Sequence, residues 1–168
     1  MELKQFSHEE IQIVNNAVAL AEELVINFYK ISINQQVKYD IKTVADLSPN
    51  EIAHGPFAQI IRYSGQRKDR VLGSSAYDFY KICVQDHAIL AIAKHENNQN
   101  GFLLFPLILY IITHELVHII RFSRFLQNFE ATEEEKLLEE ERVHAKTREI
   151  LKDVDIVGLK DVFIYICP

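Results

Sequence analysis

Hydrophobic positions in the N-terminal part of the chain recur with the spacing of a helix that packs on one face. Ser7 and Glu10 form a capping box, in which a hydroxyl and a carboxylate satisfy the free backbone N–H groups of a helix start. The apolar residues that follow have a period of about 3.6, and they are Ile11, Val14, Val18, Ala21, Val25 and Phe28. The pattern predicts a helix that runs to about Ile31.

The next part of the chain predicts a second helix after an ambiguous segment. Residues 33–41 are short and polar, which leaves open an extended connector or an edge strand. Ser48 and Glu51 then form another capping box, with Pro49 in the first turn, where proline is preferred. We therefore predict a helix from Glu51 to about Tyr63, bent at the Gly-Pro pair within it.

Beyond this helix the hydrophobic period changes to that of a strand. Tyr80, Ile82 and Val84 alternate with more polar neighbours, which is typical of a strand with one buried face. Residues 88–93 are apolar and partly β-branched, so we predict a second strand that pairs with the first in a hairpin. Residues 95–101 are rich in asparagine and predict a loop.

The most apolar segment comes next and predicts the central helix. Pro106 occupies the first turn, and the apolar pattern continues to about Phe129. Thr132 and Glu135 form a third capping box, which predicts a helix to about Leu151. Because the connection between these two helices is short, we expect them to pack antiparallel.

Taken together, these elements predict an α+β fold. It is mostly helical, with a small antiparallel hairpin or sheet before the central helix. The apolar tail at residues 162–166 predicts a short strand or a docked coil. The chain length predicts a single domain spanning residues 1–168, large enough to bury about two-thirds of the surface of the unfolded chain.

Composition narrows the set of partners. The net charge of −6 and the pI of about 5.6 argue against nucleic acid or an anionic membrane as the main partner. The longest apolar run, residues 102–112, is much shorter than the ~20 residues that span a bilayer. Two cysteines, Cys83 and Cys167, form no disulfide framework and are expected to be free buried thiols. The polar N-terminus lacks the pattern of a signal peptide. We therefore expect a soluble cytoplasmic protein.

Candidate chemistry lies in the central helix. His114, Glu115 and His118 form a His-Glu-x-x-His motif inside an apolar segment. Residues four apart share one face of a helix, so both imidazoles can reach the same metal ion. Glu115 is rotated by about 100° from His114, which is close enough to hold a water molecule bound to that ion.

The following helix offers the third ligand. A helical projection places His144 on its inward face, between Leu137, Arg148 and Leu151, with Glu140 and Glu141 beside it. The same projection predicts a solvated face made of Glu139, Arg142, Lys146 and Glu149. Antiparallel packing brings His114 and His118 level with residues 141–144. His144, Glu140 and Glu141 all remain candidates for the third ligand.

The motif resembles that of the zincin superfamily of zinc metallopeptidases, most closely its gluzincin branch. In that branch a glutamate on a later antiparallel helix completes the site, as Glu140 or Glu141 would here. The branch often has an acid one turn later, and His144 stands at that position after Glu140. The metzincin extension is absent, because Arg121 and Arg124 replace its glycine and third histidine.

The resemblance implies a zincin-like fold with one zinc ion and peptidase activity on a peptide or protein substrate. Glu115 would take a proton from a zinc-activated water and pass it to the leaving amine. The strand hairpin before the motif would offer an edge to an extended peptide.

Two other functions fit the same residues. Glu115 with His118 and Glu141 with His144 both read Glu-x-x-His, a pairing that ferritin-like di-iron proteins use. Iron would then replace zinc, and Glu22 or Glu23 would supply a further ligand. Alternatively, the metal serves only to join two helices of a non-catalytic structural or regulatory module.

Overall fold

The computed structural model describes residues 2–32, 37–66, 76–95, 98–124 and 130–166. Within them the fold consists of five α-helices and one three-stranded mixed sheet, so the α+β prediction is confirmed at that level. The elements in chain order are α1 (His8–Tyr29), β1 (Tyr39–Lys42), β2 (Ala58–Gln66), β3 (Ala76–Val84), α2 (Asp86–Ile92), α3 (Leu104–Ser123), α4 (Glu133–Leu151) and α5 (Leu159–Ile166).

Helix α3 forms the centre of the hydrophobic core. Every residue from Pro106 to Ile120 is buried except Glu115, and α1, α4 and α5 all pack against this helix. Its length and its mean hydropathy of 1.5 would suit a membrane span, and 78% of that window is buried inside the fold. A core helix has the same properties, so length and composition alone do not indicate a membrane span.

The sheet has the order β1-β3-β2, with β3 in the middle. Strand β1 runs parallel to β3, and β2 runs antiparallel to it with Ile60 opposite Ile82. The predicted strand through Tyr80 and Val84 is therefore confirmed as β3. Of the ambiguous segment 33–41, residues 39–41 belong to the edge strand β1, which confirms that interpretation for them, and residues 33–36 lie outside the described part of the chain.

Two predicted elements between α1 and α3 are wrong. The capping box of Ser48 and Glu51 forms, but the helix after it is a single 3-10 turn, because Gly55 has a φ of 118° and a proline follows. The expected helix to Tyr63 is instead the strand β2. The predicted strand at residues 88–93 is the helix α2, and both edges of β3 are already occupied by β1 and β2.

The C-terminal part follows the prediction for α4 and departs from it elsewhere. Helix α4 ends at Leu151 as expected, whereas α3 ends at Ser123 with Arg124 as its C-cap, and residues 125–129 lie outside the described part of the chain. The tail forms the helix α5, not a strand or coil. It begins after Gly158, whose φ of 87° and tight packing against Leu103 leave little room for a side chain.

Buried polar groups connect the loops to the sheet and to α2. The carboxylate of Asp86 accepts hydrogen bonds from the backbone N–H groups of Phe6 at 2.9 Å and Val44 at 3.0 Å. Burial raises the pKa of this carboxyl group. Cys83 is a free buried thiol, as predicted, whereas Cys167 lies outside the described residues.

Glu51 forms hydrogen bonds with side chains of both β2 and β3. Its side chain is buried and accepts hydrogen bonds from Lys81 at 2.9 Å, from the backbone N–H of Ser48 at 2.8 Å and from the Tyr63 hydroxyl at 2.7 Å. These hydrogen bonds, the one from Lys81 above all, lower the pKa of Glu51 to about 2. The residue that was expected to start a helix therefore joins a 3-10 turn to two strands.

The low pKa of Glu51 predicts a specific loss of stability in acid. The unfolded chain has a glutamate pKa of about 4.3, so the contribution is complete above that pH and disappears as the pH falls through about 2. Glu51→Gln should lower the free energy of unfolding by about 3 kcal/mol at pH 7, because a buried ion pair loses one partner. Urea denaturation should show this difference shrinking below about pH 4.

The control for this prediction is Asp46→Asn, which neutralises an exposed carboxylate in the preceding 3-10 turn. The Asp46 variant should follow the wild-type pH profile. A constant difference between wild type and the Glu51 variant from pH 7 to pH 2 would contradict the assignment.

Candidate metal site

Three side chains from α3 and α4 converge at one point. His114 and His118 lie on the same face of α3, and their Nε2 atoms are 3.2 Å apart. Glu140 of α4 reaches both rings, with Oε2 at 3.2 Å from Nε2 of His114 and Oε1 at 2.8 Å from Nε2 of His118. The antiparallel packing of the two helices thus brings together the histidine pair and one of the three candidate third ligands.

The spacing of these atoms fits a metal ion. Four-coordinate zinc has bonds of about 2.0–2.1 Å to nitrogen and oxygen, which places neighbouring ligand atoms about 3.3 Å apart. The measured separations of 2.8 to 3.2 Å lie close to that value. Two imidazoles and one carboxylate are a donor set that suits zinc or ferrous iron. The residues present therefore fit one divalent ion.

The charges of the cluster agree with this geometry. Burial lowers the pKa of His114, so its ring is neutral near pH 7. Burial alone would raise the pKa of Glu140, but hydrogen bonds from His114 and His118 outweigh it and leave the pKa well below the ordinary value. An ionised carboxylate beside a neutral imidazole is the protonation state that metal binding requires.

Glu115 lies next to the cluster and faces a cleft. This cleft has a volume of about 400 Å³ and is bordered by α3, α4, the end of α5 and the start of β2. Burial raises the pKa of Glu115 to about 7. The residues that line the cleft are Pro56, Phe57, Ala58, Tyr110, Ile111, His114, Glu115, Glu140, His144 and Ile166. An acid with a near-neutral pKa therefore lines the same cleft as two of the three clustered side chains, His114 and Glu140.

His144 lies beside the cluster without belonging to it. Its Nδ1 is 2.8 Å from the Tyr110 hydroxyl, and its Nε2 is 3.6 Å from Oε2 of Glu140. Burial lowers the pKa of His144 to about 4. In the described part of the chain, Nδ1 of His114 has no hydrogen-bond partner. His144 stands four residues after Glu140 and makes no hydrogen bond to that nitrogen.

The remaining candidates lie elsewhere. Glu141 is exposed and stands outside the cluster. Glu22 accepts a hydrogen bond from Tyr39 and lines a different cavity, and Glu23 is exposed. Among the described residues, neither of these glutamates of α1 belongs to the cluster of His114, His118 and Glu140.

The predicted orientation of α4 is wrong on its polar side. Glu139 was expected on the solvated face, but it is 5% exposed and paired with Arg121. Leu137 and Arg148 were expected to point inward and are exposed. Glu139 is buried because it pairs with Arg121 of α3, and a helical projection of α4 alone cannot predict a partner on another helix.

Two neighbours of the site were missed in the sequence. Tyr110 precedes His114 by four residues and Arg121 follows His118 by three. Both positions lie on the same side of α3 as the histidines. The spacing alone was therefore a signal that these side chains would meet α4.

We compared the chain with models of known protein families, with curated proteins and with solved structures, and none of the three comparisons found a match.

The geometry predicts which of two adjacent glutamates binds metal. The purified protein should bind one zinc ion per chain, measured by titration with a chromophoric chelator. Glu140→Gln should weaken binding by more than the roughly 10–100-fold that loss of a supporting hydrogen bond costs, because it removes a direct ligand. Glu141→Gln is the matched control and should bind like the wild type. Equal losses in the two variants would contradict the assignment of Glu140.

Proposed function

We propose that this protein is a metal-dependent hydrolase that acts on peptide bonds. One observation carries the proposal: His114, His118 and Glu140 have the spacing of metal ligands, and two of them, His114 and Glu140, line an open cleft together with Glu115. A catalytic metal site needs an open coordination position and a nearby proton acceptor. His114, His118 and Glu140 would hold the ion, with zinc favoured by the donor set.

Glu115 is the residue that moves the proton in this proposal. Its pKa of about 7 suits a group that must both accept and release a proton near neutral pH. An ion bound at the cluster would supply Lewis-acid polarisation of a water molecule and of the substrate carbonyl. Glu115 accepts the proton of the attacking water and delivers it to the leaving amine.

The surroundings of the cleft support a peptide as the substrate. Phe57, Ile111 and Ile166 make part of its wall apolar, which suits an uncharged side chain. Strand β2 begins at Ala58 on the border of the cleft, and among the described strands β3 is its one neighbour. The backbone edge that could pair with an extended peptide would therefore belong to β2, whereas the sequence analysis expected it in the predicted hairpin at residues 80–93.

The proposal predicts that Glu115 is needed for hydrolysis and not for metal binding. Glu115→Gln should keep one zinc per chain and lose about 10²–10⁴-fold in kcat/KM, because the proton acceptor is gone. The assay is cleavage of a fluorogenic peptide library by the zinc-loaded protein. Glu134→Gln, an exposed acid of α4, is the control and should match the wild type. Inactivity of the zinc-loaded wild type on the whole library would overturn the proposal.

The second candidate function is a structural metal site, and the position of His144 favours it. Its Nε2 lies 3.6 Å from Oε2 of Glu140, so a small rotation would make it a fourth ligand and close the site. The hydrolase proposal predicts an open position instead. The absorption spectrum of the cobalt-substituted wild type should then shift on addition of acetohydroxamate, and His144→Ala should shift in the same way. A spectrum that responds only after His144 is removed would favour the structural role.

A further inference from the structure

An ion pair holds the N-terminal half of α4 against α3. Glu139 is the first buried residue of α4, and the two leucines before it, Leu137 and Leu138, are 68% and 54% exposed. Arg121 of α3 donates two hydrogen bonds to the Glu139 carboxylate, from Nε to Oε2 and from Nη2 to Oε1, both at 2.7 Å. This end of α4 therefore docks through a guanidinium–carboxylate pair where a helix would usually present leucine.

The ion pair is adjacent to the metal cluster on both helices. Arg121 follows His118 by three residues, and Glu139 directly precedes Glu140. A guanidinium that binds both oxygens of a carboxylate fixes its position and its rotation. Val143, the next buried residue of α4, makes apolar contacts, which are not directional in this way. Along α4, the ion pair is thus the directional contact nearest in sequence to the ligand glutamate, one residue away, and the hydrogen bond between Tyr110 and His144 lies four residues away.

The sequence around Glu140 makes such a contact necessary. Residues 139–141 are three consecutive glutamates, and rotation of α4 by one residue, about 100°, would turn another of them toward the histidines. A buried ion pair is often no more stabilising than apolar residues of similar size. Its best-attested role is to fix one register among several.

We propose that Arg121 and Glu139 form a positioning pair that selects Glu140, among three adjacent glutamates, as the metal ligand. The proposal rests on the metal-binding part of the proposed function. The pair itself does not touch the ion. It acts by holding α4 at one rotation, so that the carboxylate of Glu140 points to His114 and His118.

The experiment replaces the pair by apolar residues of similar length, Arg121→Met with Glu139→Leu. The Tm of the metal-free double variant should be unchanged or higher, because such replacements remove the cost of burying two charges. Zinc affinity should nevertheless fall about 10–100-fold, the usual effect of losing support for a ligand. The cobalt-substituted protein should show a changed absorption spectrum. A merely structural role would change the Tm and leave the affinity of the folded protein alone.

A second readout tests the selection itself. In the wild-type background, Glu140→Gln should weaken zinc binding by more than about 100-fold and Glu141→Gln should leave it unchanged. In the double-variant background, the two substitutions should cause similar and smaller losses, because α4 no longer has one fixed rotation. The control is Glu133→Gln with Lys136→Gln, which removes an exposed ion pair from α4 and should leave affinity and spectrum unchanged.

Three results overturn the inference or its basis. Wild-type zinc affinity and an unchanged cobalt spectrum in the folded double variant would overturn the positioning role alone. If the double variant does not fold, Arg121→Lys replaces it, since lysine keeps the charge and loses the planar fork. Wild-type affinity in that variant would also overturn the inference. A wild-type protein that binds no metal would overturn the proposed function itself.

Discussion

The packing around α3 depends on the hydrogen-bond partners that two histidines need inside this apolar helix. Helix α3 is buried along most of its length, and it carries two imidazoles into the core. A buried polar group without a partner costs about 1–3 kcal/mol, so His114 and His118 need partners close by. Glu140 on α4 is shared by both rings. The packing of α4 on α3 is therefore tied to the needs of these side chains as much as to hydrophobic contact.

The polar contacts between α3 and α4 explain why α4 is so rich in charged residues. Its first half is almost entirely charged, and among its described residues the first to be buried is a glutamate. Directional ion pairs and hydrogen bonds tolerate less displacement than apolar contacts do. A helix docked through such groups can present one carboxylate at a defined point, which a smooth leucine face would not guarantee. The precision of the cluster and the polarity of the helix thus have the same cause.

The sequence predicted what depends on neighbours along the chain. The three capping boxes, the extent of α4 and the convergence of His114 and His118 all follow from local spacing. The failures involve partners that are distant in sequence. Glu51 was read as a helix start, and its carboxylate is instead bound by Lys81 and Tyr63. The choice of Glu140 over Glu141 depends on how α4 is rotated against α3, which a helical projection of one helix does not contain.

The C-terminal helix α5 contributes to the shape of the cleft and not to the cluster of candidate metal ligands. Helix α5 docks through Leu159 and Val162, and it supplies Ile166 to the wall of the cleft while providing none of the three candidate ligands. In the proposed site, a change of Ile166 would therefore alter the wall of the cleft and leave the three candidate ligands in place. The shape of the cleft at this end would thus be set by one peripheral helix, separately from the residues proposed for metal binding and proton transfer.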